Sequence, residues 1–348
     1  MDVTEPAPRR SARDDDLDRP PMSAAGTRIP WGVWFEPTQP VPRLVALAAL
    51  AERLGAEVCL VADEGTERDV YVALTAIVTA TESLVVGPAI TNPFSRHPVT
   101  TAAAVATLAE MAPGRVWHGL GVGGSRVLAP LGLEPRRPYS ALVEAFAANR
   151  RLLGGRRAGP ASLGWFDGDV PMAVAGRGPR VQRFAAAEAD WVILSAKALA
   201  DLPETARTIR SAGGARIAWS AYLAYDDPER RRALRHFAYM ALDAPAGVRR
   251  RGGSPAEPAS LDELRAARVR RAMLAGRLDE AAEHLPESLL DLYAVTGTPD
   301  ECAARIAGLR GSFDLFVLPM NDEETCESHI ESSAAILAHA SKLSAAAD

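Results

Sequence analysis

Lysine is almost missing from this chain of 348 residues: Lys197 and Lys342 are the only two among 39 basic side chains, which face 44 acidic ones. The resulting net charge of −5 offers no field for a polyanion, and no basic run is interleaved with aromatics. Nucleic acid is therefore not an expected partner. Cysteine is scarce as well. Cys59, Cys302 and Cys326 are odd in number, far apart and free of any CxxC spacing, so neither a disulfide framework nor a zinc site is indicated, and a reducing cytoplasm fits. No run of about 18 uncharged apolar residues occurs. The most apolar helix-like stretch, 41–54, already carries Arg43, Glu52 and Arg53, and no membrane span is expected. Absent too are HExxH, HxxxH and GxSxG, which leaves metal hydrolysis and the serine-hydrolase elbow without carriers.

What is present is the composition of a folded protein, 48% hydrophobic, behind a polar start. Residues 1–28 hold six acids, five arginines, four prolines and no aromatic residue, and read as a disordered tail. From Pro30 onward, short β-branched runs alternate with Ala/Leu/Arg-rich stretches of helical period. Strands are predicted at 31–35, 57–62, 84–90, 115–120, 171–175, 190–194, 215–223 and 313–318. Helices are predicted at 41–54, 69–82, 98–111, 138–153, 179–188, 199–212, 228–243 and 323–343. Eight βα units point to a closed (β/α)8 TIM barrel over 29–348, with ligands at the carboxyl ends of its strands; an open doubly wound sheet is the alternative. Two stretches fall outside the repeat, 154–170 and 244–298, and are expected as insertions over the mouth. A further helix, 299–310, opens on the cap-like Thr298-Pro299-Asp300-Glu301.

The strand ends carry the chemistry. After the second strand stand Asp63 and Glu64, adjacent acids at a site where ionisable groups work in barrels, or else two solvated loop carboxylates. Pro88 inside the third strand removes a ladder donor and marks a distortion. His97, ahead of Pro98, reads as a cap before a base, and His118, within the fourth strand, as a packed neutral ring. His236, His284 and His329 lie in Arg- or Glu-rich helices and read as surface residues. The fourth strand ends in Gly119-Leu120-Gly121-Val122-Gly123-Gly124-Ser125, whose glycines permit close backbone approach. The spacing is not the nicotinamide fingerprint, and no Rossmann unit completes it. The fifth strand ends in Gly176-Arg177-Gly178-Pro179-Arg180 at a helix start, the best anion site in the chain.

Four segments together, VGPAITNPFSRHPVTTAAAVATLAEMAPGRVWHGLGVGGS, LAPLGLEPRRP, VPMAVAGRGPRVQRFAAAEADWVILS and LYAVTGTPDECAARIAGLRGSFDLFVLP, resemble the bacterial luciferase-like superfamily. Within it they are similar to the branch using the deazaflavin coenzyme F420, which includes methylenetetrahydromethanopterin reductase and the F420-dependent sugar-phosphate dehydrogenases. The resemblance spans residues 30–343. It implies a barrel with a long insertion, a homodimer, and a flavin or deazaflavin across the mouth, backed by a non-proline cis peptide at Ala89–Ile90. It further implies that Asp63, Thr91 and Asn92 line the ring, that Gly121, Gly123, Gly124 and Ser125 flank the ribityl chain, and that Gly176, Arg177, Gly178 and Pro179 hold the phosphate. Where many members have Asp-His after the second strand, this chain has Asp63-Glu64. The acid that the sugar-phosphate enzymes carry in the fourth-strand loop is also missing.

Three functions follow. The first is an oxidoreductase exchanging a hydride between coenzyme F420 and an organic small molecule, in specialised biosynthesis by analogy, with Glu64, Asp63 and Glu36 as its catalytic groups. The second is an FMN-dependent monooxygenase; the third is a barrel that has lost catalysis and serves as a binding subunit. Trp31, Trp34, Phe35 and Trp165 are candidates for the wall of an apolar substrate pocket or for core packing.

Overall fold

The β-branched and aromatic runs of the sequence form parallel strands, and the Ala/Leu-rich stretches form the helices that return between them. A computed structural model describes residues 28–243, 263–320 and 326–347. All of the expected tail except Arg28, and residues 244–262 of the second insertion, lie outside the described residues. In chain order the barrel contains β1 (Trp31–Phe35), α1 (Val41–Arg53), β2 (Val58–Val61), α2 (Val70–Thr79), β3 (Val85–Pro88), α3 (Pro98–Met111), β4 (His118–Leu120), a short α4 (Ser125–Leu128) and α5 (Pro138–Leu153). It continues with β5 (Met172–Ala175), α6 (Pro179–Glu188), β6 (Trp191–Ser195), α7 (Leu202–Ala212) and β7 (Arg216–Ser220). After the insertion come α12 (Pro299–Gly308), β10 (Leu315–Met320) and α13 (Cys326–Ala347). Pro42, Pro98, Pro138, Pro179 and Pro299 occupy first turns, where the missing N–H is not needed.

Every strand pair is parallel, in the order β3-β2-β1-β10-β7-β6-β5-β4. The edge strands β3 and β4 are joined by the bridges Val86 to Val116 and Thr91 to Leu120, which carry the ladder round to its start. Alternation then sorts the side chains. Val58, Leu60, Trp117, Trp191, Ile193 and Val317 fill the lumen, with the Trp117 and Trp191 ring centroids 4.5 Å apart. Gly32, Gly87 and Gly119 make room, since a Cβ there would strike Val58, Trp117 or Pro88. The Arg216 guanidinium, at the amino end of β7, lies 4.2 Å over Trp191 and closes the floor. Outward residues such as Val33, Phe35, Val61 and Phe316 pack under the helices in a much larger apolar layer.

The expected strand at 215–223 divides at Ala221. Its second part, β8 (Tyr222–Ala224), leaves the barrel and pairs with β9 (Ala294–Thr296), a small parallel sheet that the sequence reading lacks. Between them lies the insertion, α8 (Asp227–Asp243), α9 (Glu263–Leu274), α10 (Leu278–Glu283) and α11 (Ser288–Tyr293), around its own core of Tyr222, Phe237, Val269, Leu285 and Leu290. The stretch 154–170, expected over the mouth, instead connects the carboxyl end of α5 to the amino end of β5. Arg150, just ahead of it, pairs with Asp190 at the start of β6 at 3.0 Å, so the stretch belongs to the opposite end of the barrel. Trp165, 53% exposed within it, is therefore no wall of a pocket at the mouth.

Candidate active site

At the exit of β2, Asp63 is buried. Its Oδ2 accepts from Thr91 Oγ1 at 2.7 Å and from Arg96 Nε at 2.7 Å, and its Oδ1 from Arg96 Nη2 at 3.3 Å. Arg96 also donates to Asp69 Oδ2 at 2.7 Å, while Asp69 Oδ1 caps α2 by accepting from the Tyr71 and Val72 amides. The guanidinium lies 5.2 Å over the Tyr71 ring. Burial opposes the charge of Arg96, yet the hydrogen bonds to Asp63 and Asp69 outweigh it and hold its pKa above the ordinary value. Asp63 thus joins three segments, β2, the start of α2 and the loop after β3, and its lone pairs are engaged by protein donors. Glu64, next along the chain, is half-buried at the rim, and Gly65 turns the chain after it at φ +71°.

Beyond Pro88 the chain bulges. Ala89–Ile90 is a cis peptide, as the resemblance implies, and the ladder resumes with Thr91 N–H donating to Gly119 O and Gly121 N–H donating to Thr91 O, at 3.1 and 3.0 Å. A Cβ on Gly119 would lie 2.1 Å from Pro88 O, and one on Gly121 would lie 1.8 Å from Ile90 Cδ1. These two glycines therefore seat the bulge against β4. Gly123, at φ +73°, turns toward Leu128 and Asn92, and Gly124, exposed, accepts from Val127 and Leu128 to start α4. Ser125 begins that helix; its side chain is outside the described residues. Asn92 is buried and spends its side-chain oxygen on the Phe94 and Ser95 amides, holding the turn that delivers Arg96. His97 Nδ1 accepts from Val99 N–H, the capping role read from the sequence. His118 faces the helices, with Nε2 3.0 Å from Asn149 Nδ2, and burial pushes its pKa down to about 3.

The exit of β5 adjoins that of β4: the Cβ direction of Gly121 also meets Ala175 O at 3.5 Å. Gly176 is pressed against Val181, whereas Gly178 has open space around its Cβ direction. Gly178 is the N-cap of α6, with no side chain bonded to the helix end. Arg177, Gly178, Pro179 and Arg180 are exposed, and the Arg180 guanidinium stacks 3.8 Å over Tyr139. An uncapped helix start with a Cβ-free approach and flanking guanidinium groups fits a phosphate.

Opposite this, Glu36 follows β1 above the inward Trp34. Its Oε1 lies 3.9 Å from His236 Nδ1 on α8, and the two side chains are 13% and 27% exposed. The His236 ring packs on Tyr222 at 5.1 Å. The sequence reading placed His236 and His329 on the surface, and the structure corrects both. His329 is fully buried, 2.9 Å from Glu229 Oε2 and 3.1 Å from the Tyr225 hydroxyl. Its signal was available, since Cys326, His329, Ile330, Ser333 and Leu337 recur at helical spacing. His236 had none, because only the fold brings α8 back over β1. Trp31 and Phe35 pack in the helix layer, leaving Trp34 at the lumen.

The described residues contain no helix long and apolar enough to cross a membrane and no group of three metal-ligating side chains. Comparison with known proteins gives three findings. The family described as Luciferase-like monooxygenase matches residues 22–314. A 5,10-methylenetetrahydromethanopterin reductase of Methanolobus tindarius is 28% identical over 299 residues, 79% of this chain and 89% of that protein. Among solved structures, the coenzyme F420 dependent tetrahydromethanopterin reductase of Methanopyrus kandleri superposes with a TM-score of 0.73 over 88% of this chain and 97% of that one, at 20% identity. An F420-dependent secondary alcohol dehydrogenase superposes with a TM-score of 0.68 over 90% and 99%, at 18% identity. Both superpositions express a shared fold.

Proposed function

Because this chain belongs to the luciferase-like monooxygenase family and is an oxidoreductase of the flavin or deazaflavin kind, we propose that it is a coenzyme F420-dependent enzyme moving a hydride to or from an organic small molecule. One observation carries the reading: the bulge at 88–92 is seated on Gly119 and Gly121, and Gly121 also meets Ala175 O at the exit of β5, three residues ahead of the uncapped, arginine-flanked start of α6 at Gly178. That is a wall for a planar ring next to a seat for its phosphate. A bound deazaflavin would supply the hydride-carrying carbon. The chain's own residues do the rest. Ala89, Ile90 and Thr91 back the ring, and Asn92 holds the turn behind them. Gly121, Gly123, Gly124 and Ser125 border the ribityl chain, while Gly176, Arg177, Gly178 and Pro179 hold the anion. Asp63 fixes the bulge through Thr91 and Arg96, Glu64 at the rim orients the substrate, and Glu36 serves the proton balance.

The choice of F420 over FMN draws on the reductase relative, which covers most of both chains, and on the F420-dependent enzymes among the related proteins. Cys59, Cys302 and Cys326 are buried and outside any disulfide, which accords with work in the cytoplasm. The experiment is binding followed by turnover. Titration with F420 and with FMN should show micromolar affinity for the deazaflavin, and Glu64→Gln should remove turnover on the chosen substrate while leaving that affinity. Oxygen consumption with reduced FMN, in the absence of any F420 binding, would move the assignment to a monooxygenase; neither binding nor turnover would favour a non-catalytic barrel.

A further inference from the structure

Glu36 and His236 come from opposite ends of the chain's architecture, one from the exit of β1 and the other from the insertion helix α8, and they meet over the barrel mouth at 3.9 Å. Both are largely but not completely buried, at 13% and 27%. The Tyr222 ring of β8 supports the imidazole from one side. Among the neighbouring charges on α8, Arg230 pairs with Glu287, Arg232 with Glu229, and Arg235 with Asp279 of α10. From α11, Tyr293 packs on Phe237. Among the described residues, Glu36 is a carboxylate that His236 meets at ion-pair distance.

We propose that His236, with Glu36 as its counter-charge, is the proton-exchanging residue of this site, so that the insertion and not the β2 loop supplies the imidazole. The proposal rests on the function assigned above and deepens it: the substrate is one whose polar double bond, C=O or C=N, gains a proton at the heteroatom as its carbon gains a hydride. In the reducing direction a bound reduced deazaflavin would supply the hydride that carbon gains. The protein's part is the proton: the His236 imidazolium releases it to oxygen or nitrogen, and the alcohol or amine leaves beside a neutral ring. The reverse reaction returns the proton to the ring, with Glu36 stabilising the cation. An imidazole operates near neutral pH, where a carboxylic acid of ordinary pKa is already ionised.

Two measurements test this. In the enzyme without cofactor, histidine ring NMR should show the His236 titration midpoint falling by about half a pH unit or more in Glu36→Gln, as loss of a neighbouring negative charge requires, with His284 and His339 unmoved. An unchanged midpoint overturns the pairing. In the F420-loaded enzyme, His236→Gln should lower kcat by about a hundredfold and delete one limb of the pH–rate profile, with cofactor affinity held within twofold. A variant with normal kcat and an intact profile overturns the catalytic assignment. A wild-type protein that binds no deazaflavin overturns the function assigned above instead, and the NMR coupling then decides the pair by itself.

Discussion

Single side chains here do their work through the partners they hold. Asp63 is the clearest case. The resemblance points to it as a residue lining the cofactor, yet its oxygens are taken up by Thr91 and Arg96, and its influence on the site passes through the bulge. Asp63→Asn leaves Arg96 with Asp69 alone and removes an acceptor from a buried pair, which should cost about 3 kcal/mol, the low end for breaking such a pair because Arg96 is 27% exposed. Chemical denaturation measures it, and cofactor affinity should fall along with stability. His118 supplies a pH dependence. Burial lowers its pKa from 6.5 to about 3, so the native ring stays neutral where the unfolded one takes a proton. Stability is complete above the unfolded value and is lost as pH falls below about 6.5, by up to about 1.4 kcal/mol per pH unit. Burial lowers the pKa of His329 in the same sense, against the opposing pull of Glu229. His118→Gln should flatten this acid limb in melting curves taken from pH 7 to pH 4, and an unaltered limb would count against a neutral buried ring.

Elements meet at this mouth through glycine. Gly119 faces backbone, Pro88 O, whereas Gly121 faces the end of a flexible side chain, Ile90 Cδ1. The two alanine variants should therefore diverge. Gly119→Ala forces β3 and β4 apart and should cost more than the 1–3 kcal/mol of ordinary overpacking. Gly121→Ala turns Ile90 out of its place and should fold nearly normally while weakening cofactor binding. Comparison of melting temperature and binding in the two proteins separates them. These positions also show where sequence reading reached and where it stopped. GLGVGGS was legible as a run needing close backbone approach, but sequence alone could not say whether a ligand or the neighbouring strand does the approaching. For Gly119 and Gly121 it is the strand bulge; for Gly178 the space is open. The bounds of α3, α5 and α6 were legible to the residue because proline marks each start. The pairing of β8 with β9 was not, since two three-residue strands separated by a helical excursion carry too short a pattern to be matched.

At the scale of the molecule, the eightfold alternation announced the barrel, and the positions of what is added to it had to come from connectivity. The stretch 154–170 is rich in Gly and Arg like a mouth loop, yet it follows a helix and precedes a strand, and that order alone sends it to the floor. Glu36 and His236 stand 200 residues apart in sequence, which no local pattern spans. One outer face is unusual: α2 from Val70 to Ala80 and α3 from Pro98 to Ala109 contain no charged residue, and Val72 and Met111 are 63% and 49% exposed.

The small β8–β9 pair has a last consequence. The excursion that carries α8 and its histidine leaves the cylinder along one strand and comes back beside that same strand, so both of its seams lie at a single doorway. A segment hinged this way is a cassette: relatives can exchange it, lengthen it or trim it, and so change which molecule is presented to the ring, while the hoop of eight strands beneath keeps its register.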